Sequence, residues 1–203
     1  MENKLEQGLL GWTEDIISFH LPRWIELPEI DLYMDQVIVF FERIFSRFPG
    51  AYAGKLISPS IINNYVKLGI IPQPLKKKYS RTHLAYLMMI CILKQVLPIS
   101  VVTDLIAYQL QTATITQVYD QFCEEQEQAT KRAVETARHE YFNKKVNEKN
   151  DDEQSLVELT LKMAVTANSS KIFAERVICQ KREEELAAKL PEVEPDDKIS
   201  KSK

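Results

Sequence analysis

Apolar residues recur at helical spacing along almost the whole chain. Leu5, Leu9, Trp12, Ile16 and Phe19 predict an amphipathic helix over residues 3–19. Pro22 and Pro28 bracket LPRWIELP, an extended connector that directs Trp24 and Ile25 at the core. Asp31 is a good N-cap for a helix running to about Phe48, with Met34, Val37, Ile38, Phe41 and Phe45 on one side; Pro49 and Gly50 end it. Ser58-Pro59 opens a short helix that Gly69 closes, and the prolines of IIPQP stop any continuation. Ser80 caps a long apolar helix that Pro98 ends, and Ser100 starts another, to about Leu110. Beyond it, residues 114–147 and 153–190 predict two long helices separated by the polar break NEKNDD. The first places Ile115, Val118, Phe122, Ala129, Ala133 and Phe142 on its apolar side, the second Leu156, Leu159, Met163, Ala167, Phe173 and Val177. The tail PEVEPDDKISKSK is charged and proline-bearing and reads as disordered. The expected fold is all-α.

Composition narrows this picture. A hydrophobic content of 45% in 203 residues supports a real core, and five glycines leave little room for the turns of an all-β protein. The most apolar run, Leu84 to Leu93, is about half the roughly 20 residues needed to span a bilayer, so no membrane partner is expected. The N-terminus has acids early and no apolar run of signal-peptide type. Cys91, Cys123 and Cys179 are far apart and form neither a ligand spacing nor a disulfide framework, which fits a reducing cytoplasm and no metal.

The net charge of −3 hides an uneven distribution. Residues 55–110 carry Lys55, Lys67, Lys76, Lys77, Lys78, Arg81 and Lys94 against the single acid Asp104, whereas both flanking segments are acidic. Phosphate attraction is screened beyond about 8 Å at physiological salt, so the local excess matters more than the total.

Within the basic third, Ile57 to Pro74 is the informative stretch. On a helical wheel Ser60, Asn63, Asn64 and Lys67 fall on one side, and Ile61, Ile62, Tyr65, Val66 and Leu68 on the other. Ser58 is the N-cap, Pro59 the first helical residue and Gly69 the left-handed residue after the end. The polar side is uncharged except for one lysine, and amide and hydroxyl groups both donate and accept, as contacts to base edges and phosphates require. Lys76, Lys77 and Lys78 follow as three adjacent cations, then Tyr79 and Arg81. The bland readings are a neutral solvent face, a solvated lysine loop and a Tyr65 ring packed in the core.

The run IINNYVKLGIIP, followed by KKKYSRTHLAYLMMICILKQVLPISVVTDLI, resembles the DNA-binding domain of MerR-type regulators. Ile62 takes the family's leucine position, Tyr65 its second tyrosine, Gly69-Ile70-Ile71-Pro72 the exit from the helix, and Tyr79-Ser80 the end of the wing. With LPRWIELPEIDLYMDQVI upstream, the chain is similar to a bacterial family of unknown function that carries a MerR-like head. The resemblance implies a winged helix-turn-helix followed by a long C-terminal helical hairpin, and a repressor acting as a homodimer on double-stranded DNA. Asn63 stands where the family has arginine and Asn64 where it has its first tyrosine, so the resemblance carries the fold and not the base contacts.

The expected organisation is an N-terminal helical extension at 1–30, the head at 31–110, a C-terminal helical region at 111–190 for dimerisation or effector binding, and a tail at 191–203. The expected DNA-binding residues are Lys55, Ser58, Ser60, Asn63, Asn64, Tyr65, Lys67, Lys76, Lys77, Lys78, Tyr79 and Arg81. No HExxH, CxxC, GxSxG or glycine-rich phosphate loop is present, so neither an enzyme nor a cofactor is expected. Tyr119, Phe122, Tyr141 and Phe142 read as core or interface packing in preference to a small-molecule effector pocket. A second reading stays open: a non-catalytic adaptor that binds a partner protein through the C-terminal helices and carries a degenerate head.

Overall fold

The computed structural model describes residues 11, 13–46, 56–147 and 152–189. Residues 13–18 are helical, and Trp24–Glu26 form one 3-10 turn. Strand β1 (Leu32–Tyr33) leads into α1 (Met34–Phe45), followed by α2 (Pro59–Lys67), strand β2 (Lys78–Tyr79), α3 (Arg81–Leu93) and α4 (Ile99–Leu110). Two long helices complete the order, α5 (Ile115–Asn147) and α6 (Asp152–Lys189). The fold is all-α apart from one small ladder, in which β1 and β2 run antiparallel with Leu32 opposite Tyr79 and Tyr33 opposite Lys78.

Helix α3 organises the rest. Its sequence RTHLAYLMMICIL has no polar side, and His83, Leu84, Ala85, Leu87, Met88, Met89, Ile90, Cys91 and Ile92 are all buried. A helix apolar all round must be covered on every side. Helices α4 and α5 and strand β2 pack against it, while α1 packs on α2 and on β2. One continuous core results, containing Leu21, Leu27, Val37, Phe41, Ile62, Ile71, Tyr119 and Ile178 together with α3. Burial pushes the thiols of Cys91 and Cys123 up to about 11, which keeps both protonated and unreactive.

The segment before β1 is clasped onto α5. Tyr119 is fully buried and donates its hydroxyl to the Pro22 carbonyl at 2.7 Å. The Trp24 amide donates to Asp120 at 2.7 Å. Arg23 grips Glu127 with both guanidinium arms, each at 2.8 Å, and the Leu21 amide reaches the same carboxylate at 2.8 Å. Burial pulls the Glu127 carboxyl upward, but the Arg23 guanidinium and the Leu21 amide outweigh it and hold its pKa below the ordinary value. Further along α5, Arg138 donates to Thr13 at 2.6 Å. On α6, Lys162 lies 2.8 Å from Glu140 of α5, Arg182 pairs with Asp104 of α4, and the Lys181 ammonium sits 5.3 Å from the centre of the Tyr108 ring.

Several expectations are corrected. Asp31 does not cap α1: it precedes β1, and the helix begins at Met34 with Tyr33 as its N-cap. Pairing with β2 holds Leu32 and Tyr33 extended and delays the helix. The described part of α1 ends at Phe45, and the expected stop at Phe48 to Gly50 lies outside the described residues, as do Leu5, Leu9, Trp12 and the tail. Ile25 is 75% exposed and not in the core, because the 3-10 turn rotates Trp24 inward and its neighbour outward. On α6 the core contact is Ile178, while Phe173, Val177 and Ala167 face outward.

The clasp makes a prediction. Glu127→Gln breaks the bidentate pair and lowers the unfolding free energy at neutral pH by about 2 kcal/mol. Because the folded pKa of Glu127 lies below its ordinary 4.5, the stabilisation is complete above that value and fades as pH falls through the folded pKa. Urea melts should therefore show a gap between wild type and variant at neutral pH that closes in acid; a gap that persists contradicts the assignment.

Candidate nucleic-acid interface

Helix α2 is built as a short, firmly stopped rod. The Ser58 hydroxyl accepts from the Ile61 amide at 3.3 Å, and Pro59 occupies the first turn, where its missing N–H is not needed. At the other end, Gly69 takes φ +70°, its amide donates to Val66 at 3.0 Å, and the Ile70 amide reaches back to Tyr65 at 2.9 Å. This pair of bonds is a Schellman closure, and a side chain at residue 69 would be strained in it. Ile62 and Tyr65 are buried, Ile61 and Val66 half-buried, and Ser60, Asn63, Asn64 and Lys67 exposed. The polar side expected on the wheel is thus a solvent-facing surface. Leu68, assigned to the apolar side, is 61% exposed because the closure turns the chain away from the core.

The lysine run forms the tip of a tight turn. Lys76 and Lys77 have φ of 49° and 61°, and the Lys78 amide donates to the Leu75 carbonyl at 2.9 Å. Leu75 pairs with Lys78 across the turn, so β2 has β1 on one side and Leu75 on the other. Two consecutive left-handed residues are the signature of a primed hairpin turn, where Asn-Gly is preferred. For residues with a Cβ this conformation costs about 1–2 kcal/mol each. Lys76 and Lys77 are exposed; Lys78 is half-buried, with its ammonium 5.1 Å from the centre of the Tyr33 ring.

The remaining expected site residues have other placements. Tyr65 is 8% exposed, and its hydroxyl accepts from Lys94 at 3.4 Å. Lys94 is turned inward and also donates to the Leu56 carbonyl at 2.8 Å, so it adds no cation to the exposed face. Tyr79 is 3% exposed and stands edge-on to His83, with ring centres 5.5 Å apart. Arg81 lies over the Trp24 ring at 5.8 Å and 3.6 Å from Glu29. Lys55 lies outside the described residues.

His83 is not among the expected site residues. In the structure its Nδ1 accepts the Ser80 amide at 3.0 Å, so the ring holds the start of α3 against the end of β2. Burial holds the imidazole neutral and lowers its pKa, against the opposing pull of the Gln73 and Pro72 backbone and the Asp31 carboxylate. The sequence signal is the S-x-x-H spacing from Ser80, the place of the acceptor in a capping box.

Residues 22–122 match DUF1836, a domain of unknown function. The DUF1836 span runs from Pro22 to Phe122 and so contains both ends of the Pro22–Tyr119 bond, α2, the lysine turn and all of α3. No curated protein and no solved structure matches the chain. Among the described residues there is no group of three or more His, Cys, Asp or Glu able to hold a metal ion, and no helix is long and apolar enough to cross a membrane.

Two outcomes follow. Replacing Lys76-Lys77 by Asn-Gly relieves the left-handed strain and raises stability by about 1 kcal/mol, read as a higher Tm; an unchanged or lower Tm removes the strain argument. For His83, the unfolded ring takes up a proton near the ordinary 6.5 that the folded ring resists, so stability falls as pH drops below that value. His83→Gln keeps an acceptor for the Ser80 amide and should flatten this dependence in denaturant melts.

Proposed function

We propose that residues 31–110 are a MerR-like winged helix-turn-helix, with α2 as the recognition helix and the Leu75–Lys78 turn as a minimal wing. On this reading the chain is a sequence-specific DNA-binding repressor that acts as a homodimer, with α5 and α6 as its C-terminal helical hairpin. The observation that carries the reading is the pair of left-handed lysines. Neutral Asn-Gly would fill the same turn without strain, and strain held at an exposed tip is a mark of function. Two ammonium groups at that tip suit phosphate oxygens flanking a groove. The exposed Ser60, Asn63 and Asn64 face supplies groups that read base edges, and Lys67 adds a cation at its end. Tyr65 and Tyr79 then act as supports behind the contact face.

The adaptor reading draws on a different observation, the exposed apolar side chains of α6, among them Leu161, Val165 and Phe173. Duplex selection from a random pool with the purified full chain separates the two. The repressor reading expects an enriched palindrome; recovery of none favours the adaptor. On the selected duplex, Lys76→Ala with Lys77→Ala should weaken binding and reduce the log–log salt slope by about two, one for each lysine removed from a phosphate. Asn63→Ala or Asn64→Ala should leave that slope unchanged and cost about 1–3 kcal/mol only on the selected sequence. A lysine variant with unaltered slope removes the wing from the interface.

A further inference from the structure

Two asparagines stand side by side in the body of α2 with their amides held outward. Asn63 and Asn64 are exposed, and among the described residues neither carboxamide has a hydrogen-bond partner. Asparagine is a weak helix former, because its amide competes for nearby backbone groups. Other polar residues inside helices of this chain are tied back: Thr103, Thr130 and Thr160 each donate to the carbonyl four residues earlier. The cap of α2 is already supplied by Ser58, so the two asparagines do nothing for its start.

Their placement narrows what the surface can recognise. Ser60 and Lys67 lie within about 20° of each other along the middle of the polar side, and Asn63 and Asn64 stand on its two flanks. Beyond them lie the half-buried Ile61 and Val66, then the buried Ile62 and Tyr65. Helix α2 holds no arginine, and Arg81 is drawn toward Trp24 and Glu29. Gln73 is exposed, but its amide donates to the Val66 carbonyl at 3.4 Å.

We infer that Asn63 and Asn64 each select adenine, so that the site read by α2 contains two A·T pairs. The inference rests on the DNA-binding reading proposed above and names the class of sequence that reading requires. A carboxamide carries an acceptor oxygen and a donor nitrogen side by side. In the major groove adenine offers the matching pair, N7 as acceptor and the N6 amino group as donor. Guanine offers two acceptors there, which leaves the asparagine oxygen facing a like group. Cytosine offers only a donor, and thymine an acceptor beside a methyl group. Adenine alone satisfies both ends of the amide. The Ser60 hydroxyl donates or accepts and does not discriminate, while the Lys67 ammonium only donates and suits guanine or a phosphate.

The test is duplex selection with the full chain, followed by binding to the selected duplex with single base atoms changed. The recovered motif should hold A·T pairs at its most constrained positions, and exchanging either for G·C should weaken binding about 10-fold or more. Replacing one of those adenines by 7-deazaadenine, which lacks the N7 acceptor, should cost wild type about 5-fold. The same replacement should cost nothing further in whichever of Asn63→Ala and Asn64→Ala has lost the partner of that base. Both alanine variants should melt at or above the wild-type temperature, because alanine is the better helix former and no bond within the chain is lost. Asn63→Arg should redirect selection at its pair from adenine to guanine. A motif without A·T pairs, a wild type indifferent to 7-deazaadenine, or an arginine variant with unchanged selection overturns adenine selection and leaves DNA binding standing. Alanine variants that melt lower and keep the wild-type motif assign the asparagines to structure and overturn it equally. Recovery of no enriched motif overturns the DNA-binding reading and this inference with it.

Discussion

The need to cover α3 on all sides governs this fold. With nine of its residues buried and no polar stripe, α3 exists only as the centre of something larger. Helix α4 and the first turns of α5 cover it from one direction, and the β1–β2 ladder with α1 and α2 from another. Leu21 and Leu27 close the remaining gap, which the backbone can do only because Tyr119, Asp120 and Glu127 take up its polar groups. A buried connector without those partners would strand carbonyl and amide groups away from water. The DUF1836 span contains the Pro22–Tyr119 and Trp24–Asp120 bonds of this clasp, while Leu21 and Glu127 lie just outside it.

Much of this architecture is legible in the residues. The proline and glycine punctuation places α2 and the start of α4, because Pro59, Gly69 and Pro98 act through backbone geometry, whereas α3 ends at Leu93, short of the expected stop at Pro98. The exposed side of α2 is legible for a related reason: its amphipathic period is strong over nine residues. The ladder is not legible. Leu32-Tyr33 and Lys78-Tyr79 are two-residue strands whose extended state comes from pairing across more than forty residues of chain, not from propensity. Tyr79 and Arg81 look like contact residues in the sequence for the same reason, since only that pairing turns the tyrosine inward and brings the arginine to Trp24. On α6, apolar residues stand on several sides of the helix, so periodicity alone does not decide which of them meets the core.

Folding redistributes the charge of the middle third. Seven basic residues reduce to a smaller exposed set, because Lys94 is consumed inside and Arg81 is drawn toward Trp24 and Glu29. Among the described residues, those that remain outward are Lys67, Lys76 and Lys77, with Lys78 partly covered. Asp104, the single acid of that third, is held by Arg182 from α6. The exposed face is therefore cationic by arrangement as much as by composition.

The inward lysine has a wider meaning. Lys94 sits at the end of α3 and ties down both Leu56, just before α2, and Tyr65 within it, while His83 near the start of α3 stands against the chain leaving α2 at Pro72 and Gln73. Helix α2 is thus fastened to α3 at entry and at exit. A surface held this way has little rotational or torsional freedom left to lose when a ligand meets it. Any association at this surface would carry a small ordering penalty, because the backbone beneath it is already fixed.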